Sequence, residues 1–196
     1  MTIQKGALLA LRILTTIAIV GAIYFGFAIW KTMKGPTFGG NFTLTYRGQN
    51  WIFSDAPKKL NMLYFGYTKC PDVCPVSLSN AGSAFRMLND GELKDVRFIF
   101  LSVDQSHDKP DEVADYATNF FPTFIGLSGS KEQIDRTIGL FPASYMLEEN
   151  PKSYLGYSIS HTDRIFFLDS DGLVIDSITG SKEGAESIYK KIKEHL

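Results

Sequence analysis

The feature that most restricts this chain is an uninterrupted apolar run near its start. Ile13–Trp30 reads ILTTIAIVGAIYFGFAIW and carries no charged side chain. About 20 residues at roughly 1.5 Å rise cross the hydrocarbon of a bilayer, so the run predicts one transmembrane helix. Arg12 is placed to snorkel to one interface, and Tyr24 and Trp30 to set the outer end at headgroup level. A helix in a small soluble domain is rarely apolar all round. A cleaved secretory signal has an apolar core of about 7–15 residues and a small-x-small cleavage site. The far end here, FAIWKTMKG, offers no such site. We therefore expect residues 1–35 to be an uncleaved anchor with the start of a linker, and residues 36–196 to be one domain with a core of its own. Flanking charge does not orient the helix: Lys5 and Arg12 lie on one side, and Lys31, Lys34 and Arg47 on the other.

The net charge of -1 gives no basic excess for nucleic acid, and no acidic run marks a disordered tail. Only two cysteines occur, Cys70 and Cys74, and three histidines, His107, His161 and His195. Two cysteines are too few for a disulfide scaffold and too close to staple a domain. Such a pair points to redox or metal chemistry.

Lys31–Asn41 is Gly-rich, contains Pro36 and reads as a linker. Phe42–Tyr46 alternates, Arg47–Asn50 is turn-like, and Trp51–Phe53 is apolar again, which predicts a β-hairpin. Leu60–Tyr67 is nearly all apolar, as in a strand buried on both faces. A helix follows with Leu78, Ala81, Ala84, Phe85 and Leu88 on one side. Pro75 suits its first turn, and Asn89-Asp-Gly91 is expected to end it. Val96–Val103 predicts a second buried strand, and Pro110 opens a helix to about Phe120. Phe124–Leu127 is a short third strand, and Ser130 precedes a helix stopped near Gly139. Arg164–Leu168 and Leu173–Ile175 flank a turn-like Asp169–Gly172 as a second hairpin. A last helix runs from about Lys182 to His195, its lysines complementing the helix dipole. Alternating strands and helices predict an α/β fold with a mainly parallel sheet covered on both faces and an antiparallel edge.

Both cysteines then fall just beyond the C-terminal end of the first buried strand, where chemistry gathers in open α/β sheets. Pro71 fixes φ near roughly -65° and favours a turn after Cys70. One helical turn would bring the two Cα atoms to about 6 Å, inside the disulfide range of about 4.4–6.8 Å. The loop can thus close as a disulfide or open as a two-sulfur chelate. The adjoining helix N-terminus and Lys69 favour a thiolate at Cys74. Two thiolates suit Cu(I), and less decisively Zn(II). Structural zinc usually takes four protein ligands, which these cysteines alone do not supply. His161 leads into a core strand and is the candidate third ligand, with Thr162 or Asp163 orienting its ring. His107 and His195 are expected in solvent.

Gly66-Tyr-Thr-Lys-Cys70-Pro-Asp-Val-Cys74-Pro75 closely resembles the signature of the Sco/SenC family of cytochrome c oxidase assembly proteins. Ser102-Val-Asp104 with Asp108 and Pro110 resembles a second family segment, and His161-Thr162 with Leu168, Asp171 and Gly172 a third. The match runs from about Gly39 to the C-terminus. Val103-Asp-Gln-Ser-His-Asp108 departs from the usual pattern, which has Pro after the first Asp and Arg where His107 stands.

The resemblance implies a thioredoxin-like fold with an N-terminal β-hairpin. It implies copper, Cu(I) or Cu(II), held by Cys70, Cys74 and His161, and delivery to the binuclear copper site of cytochrome c oxidase subunit II. A periplasmic copper donor or thiol reductant would be the other partner. It places the domain on the periplasmic face of a bacterial inner membrane, or in the mitochondrial intermembrane space. The N-terminus lacks the look of a transit peptide, which favours the bacterium. Competing readings on the same fold are a thiol–disulfide oxidoreductase, with Cys70 and Cys74 as its redox pair, and a peroxidase. A peroxidase needs a reactive cysteine in a dedicated polar pocket, which Cys-Pro-Asp-Val-Cys is not.

Overall fold

The computed structural model describes the backbone of residues 2–33 and 37–196, and the side chains of residues 12–29 and 37–196. The chain divides into two compact units, Met1–Thr37 and Phe38–Leu196. The expected 35/36 boundary, Lys34–Pro36 of the linker and the Trp30 side chain lie outside the described residues.

The first unit is a single helix, α1 (Thr2–Met33). Its stretch Arg12–Ile29 has mean hydropathy 1.9, so the helix is long and apolar enough to cross a membrane. Thr15 and Thr16 return their hydroxyls to the Arg12 carbonyl at 2.9 and 2.8 Å, which hides both polar groups along the helix.

The second unit begins with the expected hairpin, β1 (Thr43–Tyr46) and β2 (Gln49–Ile52), turned at Arg47-Gly48 with both residues at positive φ. A 3-10 turn (Phe53–Asp55) leads to β3 (Leu60–Gly66). Then come α2 (Val73–Arg86), α3 (Asp90–Asp95) and β4 (Val96–Ser102). These are followed by α4 (Pro110–Thr118), β5 (Ile125–Leu127) and α5 (Lys131–Ile138). The chain ends with β6 (Tyr145–Glu149), β7 (Tyr157–His161), β8 (Arg164–Leu168), β9 (Val174–Thr179) and α6 (Ala185–His195).

The central sheet has the order β5-β4-β3-β8-β9. β3, β4 and β5 are parallel, and β8 and β9 add the antiparallel edge. Every residue of β3 and β4 is buried, which is why both read as continuous apolar runs. Each fully buried Leu, Ile or Phe there contributes about 1.5–3 kcal/mol of transfer free energy. α2 packs on α6, and α4 packs on β4 and β5. Gly126 lets the backbone of α4 approach β5, because a Cβ there would lie 2.0 Å from the Val113 carbonyl oxygen.

Two expectations need correcting. Asn89-Asp-Gly91 does not merely end a helix. α2 stops at Arg86, and Asn89 caps α3: its side chain accepts from the Gly91 and Glu92 amides, while Glu92 accepts from the Asn89 amide. Such a cap contributes about 1 kcal/mol. The second correction is a hairpin that sequence reading missed, β6 and β7, a two-stranded ribbon separate from the central sheet. β6 is largely exposed and has no inside–outside alternation to betray it. In β7, buried Tyr157 and Ile159 alternate with Ser158 and Ser160, a period-two signal that was legible.

Candidate metal centre

The topology delivers two sulfurs and one imidazole to one place. β3 ends at Gly66, and the chain turns through Tyr67–Cys70 with the Cys70 amide bonded to the Tyr67 carbonyl at 3.2 Å. Cys74 sits in the first turn of α2 and is buried, while Cys70 is half-buried. Gly66 is needed there, since a Cβ would lie 2.7 Å from Cys74 Sγ and 2.8 Å from the Phe100 ring. His161 ends β7 of the missed hairpin and, as expected, leads into the core strand β8 that begins at Arg164. Its Nε2 lies 3.2 Å from Cys74 Sγ. The ligand atoms of Cys70, Cys74 and His161 all fall within 4.8 Å of one another. The Nδ1 atom faces the Thr162 carbonyl at 3.4 Å, a group that only accepts. In the neutral ring the proton therefore sits on Nδ1, and the Nε2 lone pair faces the sulfur.

The two thiols are unlike, and the order is the reverse of the sequence expectation. The Cys74 thiol donates to Cys70, and His161 and the Asp72 and Cys74 amides add to this. Together they outweigh burial and bring Cys70 down to about 4. Burial, followed by its bond to Cys70, pushes Cys74 well above its ordinary range. The helix N-terminus does not win at Cys74, because desolvation of a fully buried sulfur is the larger effect. Nor does Lys69 serve the sulfurs: its ammonium pairs with Asp108 at 3.3 Å and bonds the His107 carbonyl at 3.1 Å. In the reduced protein, iodoacetamide at about pH 6 is expected to label Cys70 and leave Cys74 unmodified, since thiolate fraction and access control the rate. Peptide mapping checks this; equal labelling would reverse the assignment of the thiolate.

Two carboxylates frame the site, the buried Asp108 and the half-buried Asp163. Asp108 accepts from the Thr68 amide at 2.7 Å, the Thr68 hydroxyl at 2.6 Å and the Ser102 hydroxyl at 2.6 Å. Hydrogen bonds to a charged group contribute about 1.5–3 kcal/mol each, so the loop before Cys70 is firmly held. Asp163 accepts from Tyr64 at 2.9 Å, Ser77 at 3.1 Å and the Ser181 hydroxyl at 2.5 Å. Burial would raise its carboxyl, but bonds from Ser181, Tyr64 and Ser77 outweigh that and hold it below its ordinary value. Asp163 does not touch the imidazole, as was expected of it. It fixes Tyr64, whose ring meets the His161 ring edge-on at 5.9 Å, as does Tyr67 at 6.0 Å. Burial and then the Cys70 charge push the Tyr67 phenol up to about 12. Sequence reading missed both tyrosines, whose only signal was a phenol inside an apolar strand run.

His161 also lines a surface hollow of about 380 Å³ with Ser144, Tyr145, Met146, Ser160 and Thr162, so the site is reachable from outside. The other two histidines are not simply solvated. His107 Nδ1 pairs with Asp104 at 2.8 Å, and His195 Nε2 with Asp176 at 3.0 Å. Neither joins the sulfur cluster.

Two sulfurs and one imidazole fit a soft, low-coordinate ion, and the same sulfurs fit dithiol chemistry. Comparison with known proteins agrees with this chemistry. Residues 31–196 match the family profile described as SCO1/SenC. The chain is 28% identical over 159 residues to Protein SCO2, mitochondrial, of Saccharomyces cerevisiae, matching 81% of this chain and 52% of that protein. It thus spans about half the length of that relative. It is 28% identical over 185 residues to an SCO2-like protein of Rickettsia conorii, with 88% and 89% of the two chains covered. Bradyrhizobium japonicum ScoI, solved with copper bound, superposes with a TM-score of 0.71 at 31% identity, over 81% of this chain and 99% of that one.

Proposed function

Since the chain belongs to the SCO1/SenC family, we propose that it carries copper as cargo on Cys70, Cys74 and His161 and delivers it to the binuclear copper site of cytochrome c oxidase subunit II. The observation that carries this reading is the convergence of two sulfurs and one imidazole within 4.8 Å. The copper-bound relative of the same fold supports the choice of metal. The helix α1 serves as a membrane anchor, and the domain faces an oxidising compartment, the bacterial periplasm, where a copper donor or thiol reductant recharges it. The test is transfer. The full chain in detergent, loaded with Cu(I), is mixed with reduced, copper-free subunit II domain, and both are separated and assayed for metal. Copper should move to subunit II, read as the metal content of the two separated proteins. Copper that stays on the carrier would contradict delivery.

A second reading is favoured by the unequal thiols. The Cys70 thiolate can attack a disulfide of the acceptor, releasing one acceptor thiolate and forming a mixed disulfide. Cys74, its proton passed to His161 Nε2 3.2 Å away, then attacks Cys70 Sγ. The second acceptor thiolate leaves, and two electrons have passed from Cys70 and Cys74 to the acceptor. In the same mixture, started from oxidised subunit II without copper, this reading predicts acceptor thiols and a carrier disulfide.

A further inference from the structure

His161 stands on a strand that is not paired into the central sheet. Among the described strands β7 pairs with β6 alone, and an isolated two-stranded ribbon is marginal in water. Thr162 and Ser144 bond each other beside His161, and a further anchor lies at the other end of the strand. Alternate residues of a strand face one way, and Tyr157 and Ile159 are buried on the face that ends in His161. The Tyr157 hydroxyl donates to Asp104 Oδ2 at 2.6 Å. The Asp104 side chain is wholly buried, and its Oδ1 pairs with His107 Nδ1 at 2.8 Å. The His107 ring stacks on the Tyr157 ring, with centroids 4.4 Å apart and planes 12° from parallel. Burial, then the bond to the Asp104 carboxylate, raises the Tyr157 phenol above its ordinary range, so it stays a donor.

The same short turn grips the cysteine loop. The Asp108 amide donates to the Asp104 carbonyl at 3.0 Å. The Asp108 carboxylate holds the amide and hydroxyl of Thr68, two residues before Cys70. One carboxylate of this turn thus fixes the sulfur-bearing loop, and another fixes the imidazole-bearing strand.

We propose that Tyr157, held by Asp104 and His107, is the positioning residue that sets His161 opposite the two sulfurs, and so decides whether the copper site has three donors or two. Tyr157 acts through the strand, not by contact: four residues at about 3.3 Å each place it roughly 13 Å from His161. The inference rests on the copper reading of the site.

Tyr157→Phe tests it in the full chain in detergent, since it removes one oxygen and keeps the stacked ring. In the reduced, metal-free protein, peptides covering 158–162 should exchange amide hydrogens about tenfold faster, with β3 and β4 unchanged. With Cu(II), the nitrogen coupling in the electron paramagnetic resonance spectrum should fade. Cu(I) affinity, held by the sulfurs, should fall less than about tenfold. His107→Ala should move the same readings in the same direction. Wild-type exchange together with retained nitrogen coupling in Tyr157→Phe would overturn the proposal. So would faster exchange spread over β3 and β4, which would make Tyr157 a support of the whole fold. If the wild-type chain takes no copper, the copper reading falls instead, and exchange of 158–162 alone decides whether Tyr157 holds the strand.

Discussion

Alanine at Cys70 or at Cys74 is expected to lower Cu(I) affinity by more than about 100-fold, beyond the 10–100-fold typical of losing an outer partner of a metal site. Each variant leaves one sulfur and one imidazole, a poor match for a soft ion. The two losses should differ in secondary effects. Cys74→Ala removes the donor that brings Cys70 down to about 4, so the remaining thiol becomes less acidic. Cys70→Ala leaves Cys74 buried, where desolvation still favours the neutral thiol. His161→Ala should be milder for Cu(I), since both sulfurs remain, and more severe for Cu(II), which prefers nitrogen and oxygen. Competition titration against a chelator of known affinity measures all three. Near-wild-type affinity in either cysteine variant would remove that sulfur from the site.

Copper binding and disulfide formation are expected to exclude each other. Bound Cu(I) needs both sulfurs as thiolates, whereas a disulfide leaves neither lone thiolate available. One equivalent of Cu(I) should protect Cys70 and Cys74 from alkylation and mild oxidants, and oxidised chain should bind copper weakly until a thiol reductant restores it. Acidification should release the metal. Cys74, whose thiol is held above its ordinary range, must lose a proton to bind and regains it readily as pH falls. Thiol-alkylation mass spectrometry with and without Cu(I), repeated across pH, follows both effects. Tight Cu(I) binding by fully disulfide-bonded chain would show that these sulfurs are not its ligands.

How much of this was legible beforehand depended on local signals. β3 and β4 were readable because burial on both faces makes them apolar from end to end. Ser130 announced α5, and the structure adds Gln133 as its capping-box partner. The cysteine pair and His161 were readable as donors by residue type, and their convergence is what the fold adds. The hairpin that carries His161 was not, because β6 is largely exposed and shows no alternation of buried and exposed residues. The unequal acidity of the cysteines was also hidden. Sequence shows a helix N-terminus beside Cys74, but the decisive quantity is the complete burial of that sulfur. Asp104 and Asp108 stood in a recognisable segment. Their partners, Tyr157 and Thr68, lie 53 and 40 residues away in the chain, and no local pattern reports a contact over that distance.

The central claim is that one copper ion sits among Cys70, Cys74 and His161. X-ray absorption at the copper edge of the Cu(I)-loaded full chain measures it directly. The account predicts two sulfurs at about 2.2–2.3 Å and one imidazole nitrogen at about 2.0 Å, close to the bond lengths such donors make to similar ions. The nitrogen should vanish in His161→Ala while both sulfurs stay. A first shell of oxygen and nitrogen alone, or a nitrogen signal unchanged in His161→Ala, would contradict it.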